Sequence, residues 1–291
     1  MDDTVYRGYT QAELDAQYNA RSAVPAFGAF VQRWISDSED AVETLPCTLD
    51  VAYGDGPVEI LDIFHPLGGG PAPVLMFFHG GYWRAGDKSW FRYLARPFVE
   101  RGAAFVAVKY GLCPDHKMDE LVAQCRRAVA WVFRNIEDHG GDSARLFVSG
   151  HSAGGHITGM MLGTDWAGEF GLPADAIKGA VGISGLYDLE PIRLSQVNGP
   201  LQLSAEDAKR NSPVHHKPRV APPPPVLLAF GGLESAEYGR QTGAYADMLR
   251  RAGGTAETLA VAGHHHFSIL DAFGNPRHRF GQAVLELLGL A

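Results

Sequence analysis

Eight short β-rich runs recur along the chain, at 48–53, 59–65, 74–78, 105–110, 146–149, 179–183, 225–230 and 255–261. From the third onward they alternate with amphipathic, helix-like stretches at 90–101, 120–138, 153–162, 238–252 and 278–288. Several of the runs are continuously apolar, so a sheet made from them needs cover on both faces, and the intervening helices are placed to supply it. The expected class is therefore α/β, with a mostly parallel, twisted eight-stranded sheet and helices on both faces. The first two runs have no helix between them and suit an antiparallel hairpin. A further helical stretch precedes them around 12–20, and Gly102 and Gly253 stand where helices would close. One segment, 188–225, breaks the rhythm: it contains Asn198-Gly199-Pro200 and ends in Pro222-Pro223-Pro224-Pro225. Such a length between strands is uncommon unless functional, and it reads as a cap or loop insertion after the sixth strand, placed to cover the sheet edge where ligands bind.

With 291 residues, 46% hydrophobic and 20% charged, the chain can bury a substantial core, and no composition break divides it, so 1–291 reads as one domain. A net charge of -8 disfavours nucleic acid, whose phosphates call for clustered Lys and Arg. Cys47, Cys113 and Cys125 are few, odd in number and widely spaced, which points to buried thiols in a reducing compartment. Met1-Asp2-Asp3 does not resemble the basic start of a secretory leader, and no run has the length of a membrane span. The expectation is a cytoplasmic protein with no membrane partner; a homodimer is compatible with these features.

The chemistry concentrates at Gly150-His151-Ser152-Ala153-Gly154, which follows the apolar run 146–149 and opens a helix-like stretch. A serine on so tight a strand-to-helix turn sits in strained backbone, and side chains two residues to either side would collide. A serine hydroxyl is a poor nucleophile at neutral pH unless a base takes its proton and a carboxylate orients that base. Glu234 follows the run 225–230, and His264-His265-His266 follow the run 255–261, so an acid and then candidate bases come after the serine, each just past a later strand. Asp188 and Asp207 are rival acids, with Glu234 preferred. His266 is the preferred base and His265 the second choice. His79-Gly80-Gly81-Tyr82-Trp83 follows the run 74–78, and the amides of Gly80, Gly81 and Ala153 could converge on one oxyanion. Tyr82 and Trp83 are candidate stacking surfaces for an aromatic substrate. His79, His151 and His156 fit supporting packing better than proton transfer. No metal is expected: the histidines lack zinc-site spacing and an H-E-x-x-H pattern. Gly68-Gly69-Gly70 lacks the Gly-Lys-Ser/Thr of a phosphate loop.

On these residues the chain resembles the α/β-hydrolase superfamily over nearly its whole length, and within it the kynurenine formamidase (arylformamidase) branch. The resemblance rests on His79-Gly80-Gly81-Tyr82-Trp83, on Gly150-His151-Ser152-Ala153-Gly154-Gly155-His156, and on Ser184-Gly185-Leu186-Tyr187-Asp188-Leu189-Glu190-Pro191. Also similar are Glu206-Asp207-Ala208-Lys209-Arg210-Asn211-Ser212-Pro213, Glu234-Ser235-Ala236-Glu237-Tyr238 with Gln241, and His266-Phe267. It implies cofactor-free hydrolysis of an N-formyl aromatic amide such as N-formylkynurenine, releasing formate and an aromatic amine. Ser152 would be acylated, His266 would move the proton and Glu234 would orient the imidazole. The acid in that branch is commonly Asp, so Glu234 is a departure. The competing readings are a short-acyl carboxylesterase, using the same residues on a small-molecule ester, and a ligand receptor that has lost catalysis.

Overall fold

The computed structural model describes residues 4–291, so the reading of Met1-Asp2-Asp3 lies outside the described residues. Each of the eight runs is a strand: β1 Cys47–Ala52, β2 Ile60–Phe64, β3 Ala72–Phe78, β4 Ala104–Val108, β5 Gly141–His151, β6 Ile177–Ile183, β7 Val226–Gly231 and β8 Ala256–Val261. They form one sheet in the order β1-β2-β4-β3-β5-β6-β7-β8. The β1–β2 pair is antiparallel, as is β2–β4; every later pairing is parallel. β3 is buried at every position, and its alternation divides the core. Val74, Met76 and Phe78 join the hydrophobic cluster on one face, and Leu75 and Phe77 the cluster on the other.

Helices Met118–Asn135, Ala153–Leu162 and Ala236–Arg251 supply the first cluster, while Arg279–Leu288 packs in the second. The stretch expected as a helix over 90–101 divides: a 3-10 segment, Lys88–Ala95, runs into a short α-helix, Arg96–Val99. Pro97 accounts for the break, since it has no N–H for an α-helical bond to Tyr93 and fits only the first turn of a new helix. The 3-10 segment is anchored from below. Asp62 of β2, fully buried, accepts from Lys88 Nζ at 2.5 Å and Arg92 Nε at 2.7 Å, and Lys88 itself is 2% exposed. A buried charge cluster of this kind strongly penalises loss of any one partner, so it fixes the height at which Trp90 and Phe91 stand above the sheet.

Three helices precede the sheet: α1 Gln11–Gln17, α2 Ala20–Ala23 and α3 Phe27–Thr44. α1 begins in a capping box between Thr10 and Glu13. α3 has no counterpart in the sequence reading, because its buried stripe is Trp34, Ser38 and Ala41, of which only Trp34 carries a strong apolar signal.

Residues 188–225 lie between β6 and β7 and hold three short helices, Glu190–Leu194, Asn198–Leu201 and Ala205–Arg210. They do not provide the expected cover over the ligand edge. Arg210 bonds Asp119, and the Asn211 carbonyl accepts from His156 Nε2, so this segment packs on the flank of helices Met118–Asn135 and Ala153–Leu162. The N-terminal segment takes the covering position instead. Ser235 Oγ donates to Gln17 O, Tyr82 Oη to Tyr18 O, and Tyr18 Oη to Glu237 Oε2, which lays α1 and α2 over the C-terminal ends of the strands. Among the described residues no helix is long and apolar enough to cross a membrane.

Candidate active site

Ser152 stands between β5 and helix Ala153–Leu162 with φ 58° and ψ −115°, a left-handed region disfavoured for a residue with a side chain. Its N–H is held by Ile183 O at 2.8 Å. A Cβ on Gly154 would fall 1.8 Å from Phe78 O, so only glycine lets the new helix pass this close to β3. The turn places the Ser152 side chain in a cavity that His266 also lines.

His266 and Glu234 come together from the ends of β8 and β7. His266 Nδ1 donates to Glu234 Oε1 at 2.5 Å, and the two side chains are 5% and 1% exposed. The other carboxylate oxygen, Oε2, accepts from Gly231 N at 2.5 Å and from Ser184 Oγ at 2.8 Å. All three donors thus act on one buried carboxylate, and with Nδ1 carrying the proton, Nε2 of His266 is left as the acceptor. Ser152 and His266 share the cavity without a hydrogen bond between them; such contacts commonly tighten only when substrate is bound.

The neighbouring histidines are engaged elsewhere. His265 Nδ1 accepts the N–H groups of Phe267 and Ser268, and its ring packs against Phe30 at 5.1 Å. His264 Nδ1 bonds Ser268 O. The rival acids are occupied as well: Asp188 accepts from Tyr6 Oη and caps Glu190, and Asp207 closes the capping box of helix Ala205–Arg210. His151, one residue before the serine, donates from Nε2 to the His266 carbonyl at 2.7 Å and so ties the histidine loop to the turn that carries Ser152.

Gly80 and Gly81 follow β3 and line the same cavity. Gly81 has φ +127°, and a Cβ there would sit 1.8 Å from Ala85 O. Among the described residues the amides of Gly80, Gly81 and Ala153 donate to no protein acceptor, which is the condition for serving a ligand oxygen. His79 fixes the loop: its Nδ1 donates to Gly80 O at 2.8 Å, and its ring stacks on Tyr110 at 4.4 Å.

The two candidate stacking residues part company. Tyr82 lines the cavity, and its hydroxyl is pinned by Tyr18 O at 2.6 Å and Tyr238 Oη at 3.1 Å. Trp83 does not reach the cavity. It is fully buried and donates from Nε1 to His156 Nδ1 at 3.1 Å, with its ring edge-on to that imidazole. The large walls come from residues the sequence reading did not assign to substrate binding: Phe27, Trp34, Trp90, Phe91 and Phe267. Ser184, at the end of β6, was also passed over as a partner of the acid; its place just before Gly185 at a strand end is the signal that could have found it.

Two of the buried histidines make the fold sensitive to acid. Burial lowers the pKa of His156 to about 4, and that of His79 also to about 4. In the unfolded chain both return to about 6.5, so between pH 6.5 and 4 unfolding takes up protons and stability falls as pH falls. Each histidine contributes about 3 kcal/mol across that window. Denaturant titrations from pH 7 to 4.5 should show this loss, and His156→Gln should lessen it while the His79 share remains; a pH-independent wild type would contradict the assignment.

Comparison with known proteins agrees with this architecture. Residues 75–270 match the family model described as the alpha/beta hydrolase fold. Kynurenine formamidase of Danio rerio is 33% identical over 294 residues, covering 98% of each chain, and that of Salmo salar is 31% identical over 99% of this chain and 96% of its own. A crystal structure from Silicibacter sp. TM1040, provisionally named a thioesterase, superposes with a TM-score of 0.83 at 27% identity over 95% of this chain and 99% of its own. A Pyrobaculum calidifontis esterase shares the fold, with a TM-score of 0.70 at 21% identity over 92% of this chain and 94% of its own. The chain is a member of the α/β-hydrolase fold family, in the branch that holds the fish kynurenine formamidases, and an enzyme of the amidase or esterase type.

Proposed function

We propose that this chain hydrolyses aryl formamides of the N-formylkynurenine kind through a formyl-enzyme intermediate on Ser152. Ser152 Oγ attacks the formyl carbon while His266 Nε2 takes the hydroxyl proton, and the imidazolium is held by Glu234. The carbonyl oxygen becomes an oxyanion facing the amides of Gly80, Gly81 and Ala153. Collapse breaks the C–N bond, and the proton passes from His266 to the departing arylamine. Water, deprotonated by the same imidazole, then cleaves the formyl ester, releasing formate and restoring Ser152.

The observation that carries this reading is the makeup of the cavity above Ser152. Six aromatic rings, those of Phe27, Trp34, Tyr82, Trp90, Phe91 and Phe267, surround the serine and histidine. Such walls suit a flat aromatic leaving group, and aromatic pairs gain about 0.5–1.5 kcal/mol beyond simple burial. Similarity to proteins named kynurenine formamidase supports the formyl amide, rather than a longer acyl group, as the bond cleaved.

The same machinery accepts esters, and esterases share the fold, so the substrate comparison is the deciding assay. N-formylkynurenine is expected to be turned over with kcat/KM of about 10⁴ M⁻¹s⁻¹ or more. Efficient turnover of p-nitrophenyl acetate with N-formylkynurenine untouched would replace the formamidase reading with a short-acyl carboxylesterase.

A further inference from the structure

The walls of the catalytic cavity carry one cationic side chain and no acidic one. Arg21, on α2, is exposed and lines the same cavity as Ser152 and His266. Every other residue around that space is apolar, aromatic, glycine or one of the residues already described at the reaction centre. Arg21 makes no salt bridge among the described residues, although the chain carries an excess of acidic groups. Its guanidinium instead lies over the ring of Phe27, 4.8 Å from the centroid. A cation seated on a ring keeps N–H groups free to donate, and those of a guanidinium form the planar fork that matches a carboxylate. Phe27 lines the cavity too, so the aromatic surface that would receive a substrate ring also supports the cation at its rim.

We propose that Arg21 is the anion-recognising residue of this site, and that the chain selects substrates whose aromatic leaving group bears a carboxylate remote from the scissile bond. For the bond cleaved, this rests on the formamide reading above; for the anion, it rests on Arg21 alone. The reacting carbonyl would sit at Ser152, the ring between the aromatic walls, and the carboxylate at the mouth against the guanidinium. The contribution falls on substrate capture, because Arg21 is distant in role from the atoms that change charge. A uniform binding interaction of that kind raises KM when lost and leaves kcat in place.

The test compares two formamides in the wild type, Arg21→Gln and Arg21→Glu: N-formylkynurenine, and 2′-formamidoacetophenone, which keeps the ring, ketone and formamide but lacks the amino-acid arm. Arg21→Gln should raise KM for N-formylkynurenine on the order of tenfold with kcat little changed. Arg21→Glu should raise it further, and the loss on the neutral formamide should be several-fold smaller for each variant, so the ratio of the two effects is what reads out anion recognition. Equal losses on both substrates would assign Arg21 a structural role in α2, and no loss on either would remove it from recognition; each result overturns the proposal. If neither formamide is cleaved, the formamidase reading fails by itself, and the same variants on phenyl acetate and 4-acetoxyphenylacetate decide the role of Arg21. Selective loss on the carboxylate-bearing ester then upholds it, and parallel kinetics on the two esters overturn it.

Discussion

Ser152→Ala is expected to lower kcat by about 10⁴-fold or more and to abolish labelling by a serine-directed organophosphate, while the protein stays folded. Alanine keeps the Cβ of serine, so it neither relieves nor worsens the backbone strain at φ 58°. The bond from the residue 152 amide to Ile183 O survives, because it is made by the backbone. The Ser152 hydroxyl itself makes no hydrogen bond to another protein group among the described residues, so little folding free energy rests on it. Unfolding midpoints of variant and wild type should therefore agree closely, whereas the lost nucleophile leaves only the oxyanion donors and substrate binding to act. Turnover within about tenfold of the wild type would place the nucleophile elsewhere.

The strands were legible because period-two and continuous apolar runs are local signals, and all eight runs became strands of the sheet. β5 begins at Gly141, before the expected 146, since Gly-Asp-Ser-Ala-Arg at its start carries no apolar signature yet still pairs at Gly141 with Ala72. The candidate partners of Ser152 could be ranked from chain order alone, but the choice among three adjacent histidines is a matter of loop geometry. The structure turns His266 toward Glu234 and directs His265 to Phe30. What covers the site was not legible. The cover depends on pairs such as Tyr18 with Glu237, 219 residues apart, and no periodicity encodes a contact over that separation. Length and prolines drew attention to 188–225, but those features mark an irregular connection and say nothing about which face of the sheet edge it occupies. Trp83 illustrates the same limit. Its neighbour Tyr82 faces the cavity, but two consecutive left-handed residues, with φ 51° and 54°, send the indole into the core against His156.

Glu234→Gln should be nearly as damaging as loss of the serine, although it changes one atom. The carboxylate accepts from three donors: His266 Nδ1, Gly231 N and Ser184 Oγ. A glutamine amide has one oxygen to accept with, and its nitrogen only donates. Gly231 N–H cannot reverse its role, so the amide oxygen is drawn to that side and the NH₂ faces His266. Nδ1 must then be the unprotonated nitrogen, which puts the proton on Nε2, the position that has to receive the proton of Ser152. The wrong tautomer is built into the folded state, and kcat should fall by about 10⁴-fold. Glu234→Asp keeps the acceptors but shortens the reach by one methylene, and a displacement of about 1 Å costs on the order of 10²-fold. The order wild type, Asp, Gln in kcat therefore separates an orienting carboxylate from a merely structural one, for which Gln, the closer isostere, would outperform Asp. The same geometry sets the histidine comparison: His266→Ala should lose activity on the scale of Glu234→Gln, and His265→Ala should remain within a few-fold of wild type. Equal, mild losses in those two variants would mean that the base is another residue, and that the Glu234–His266 pair serves only to join the loops after β7 and β8.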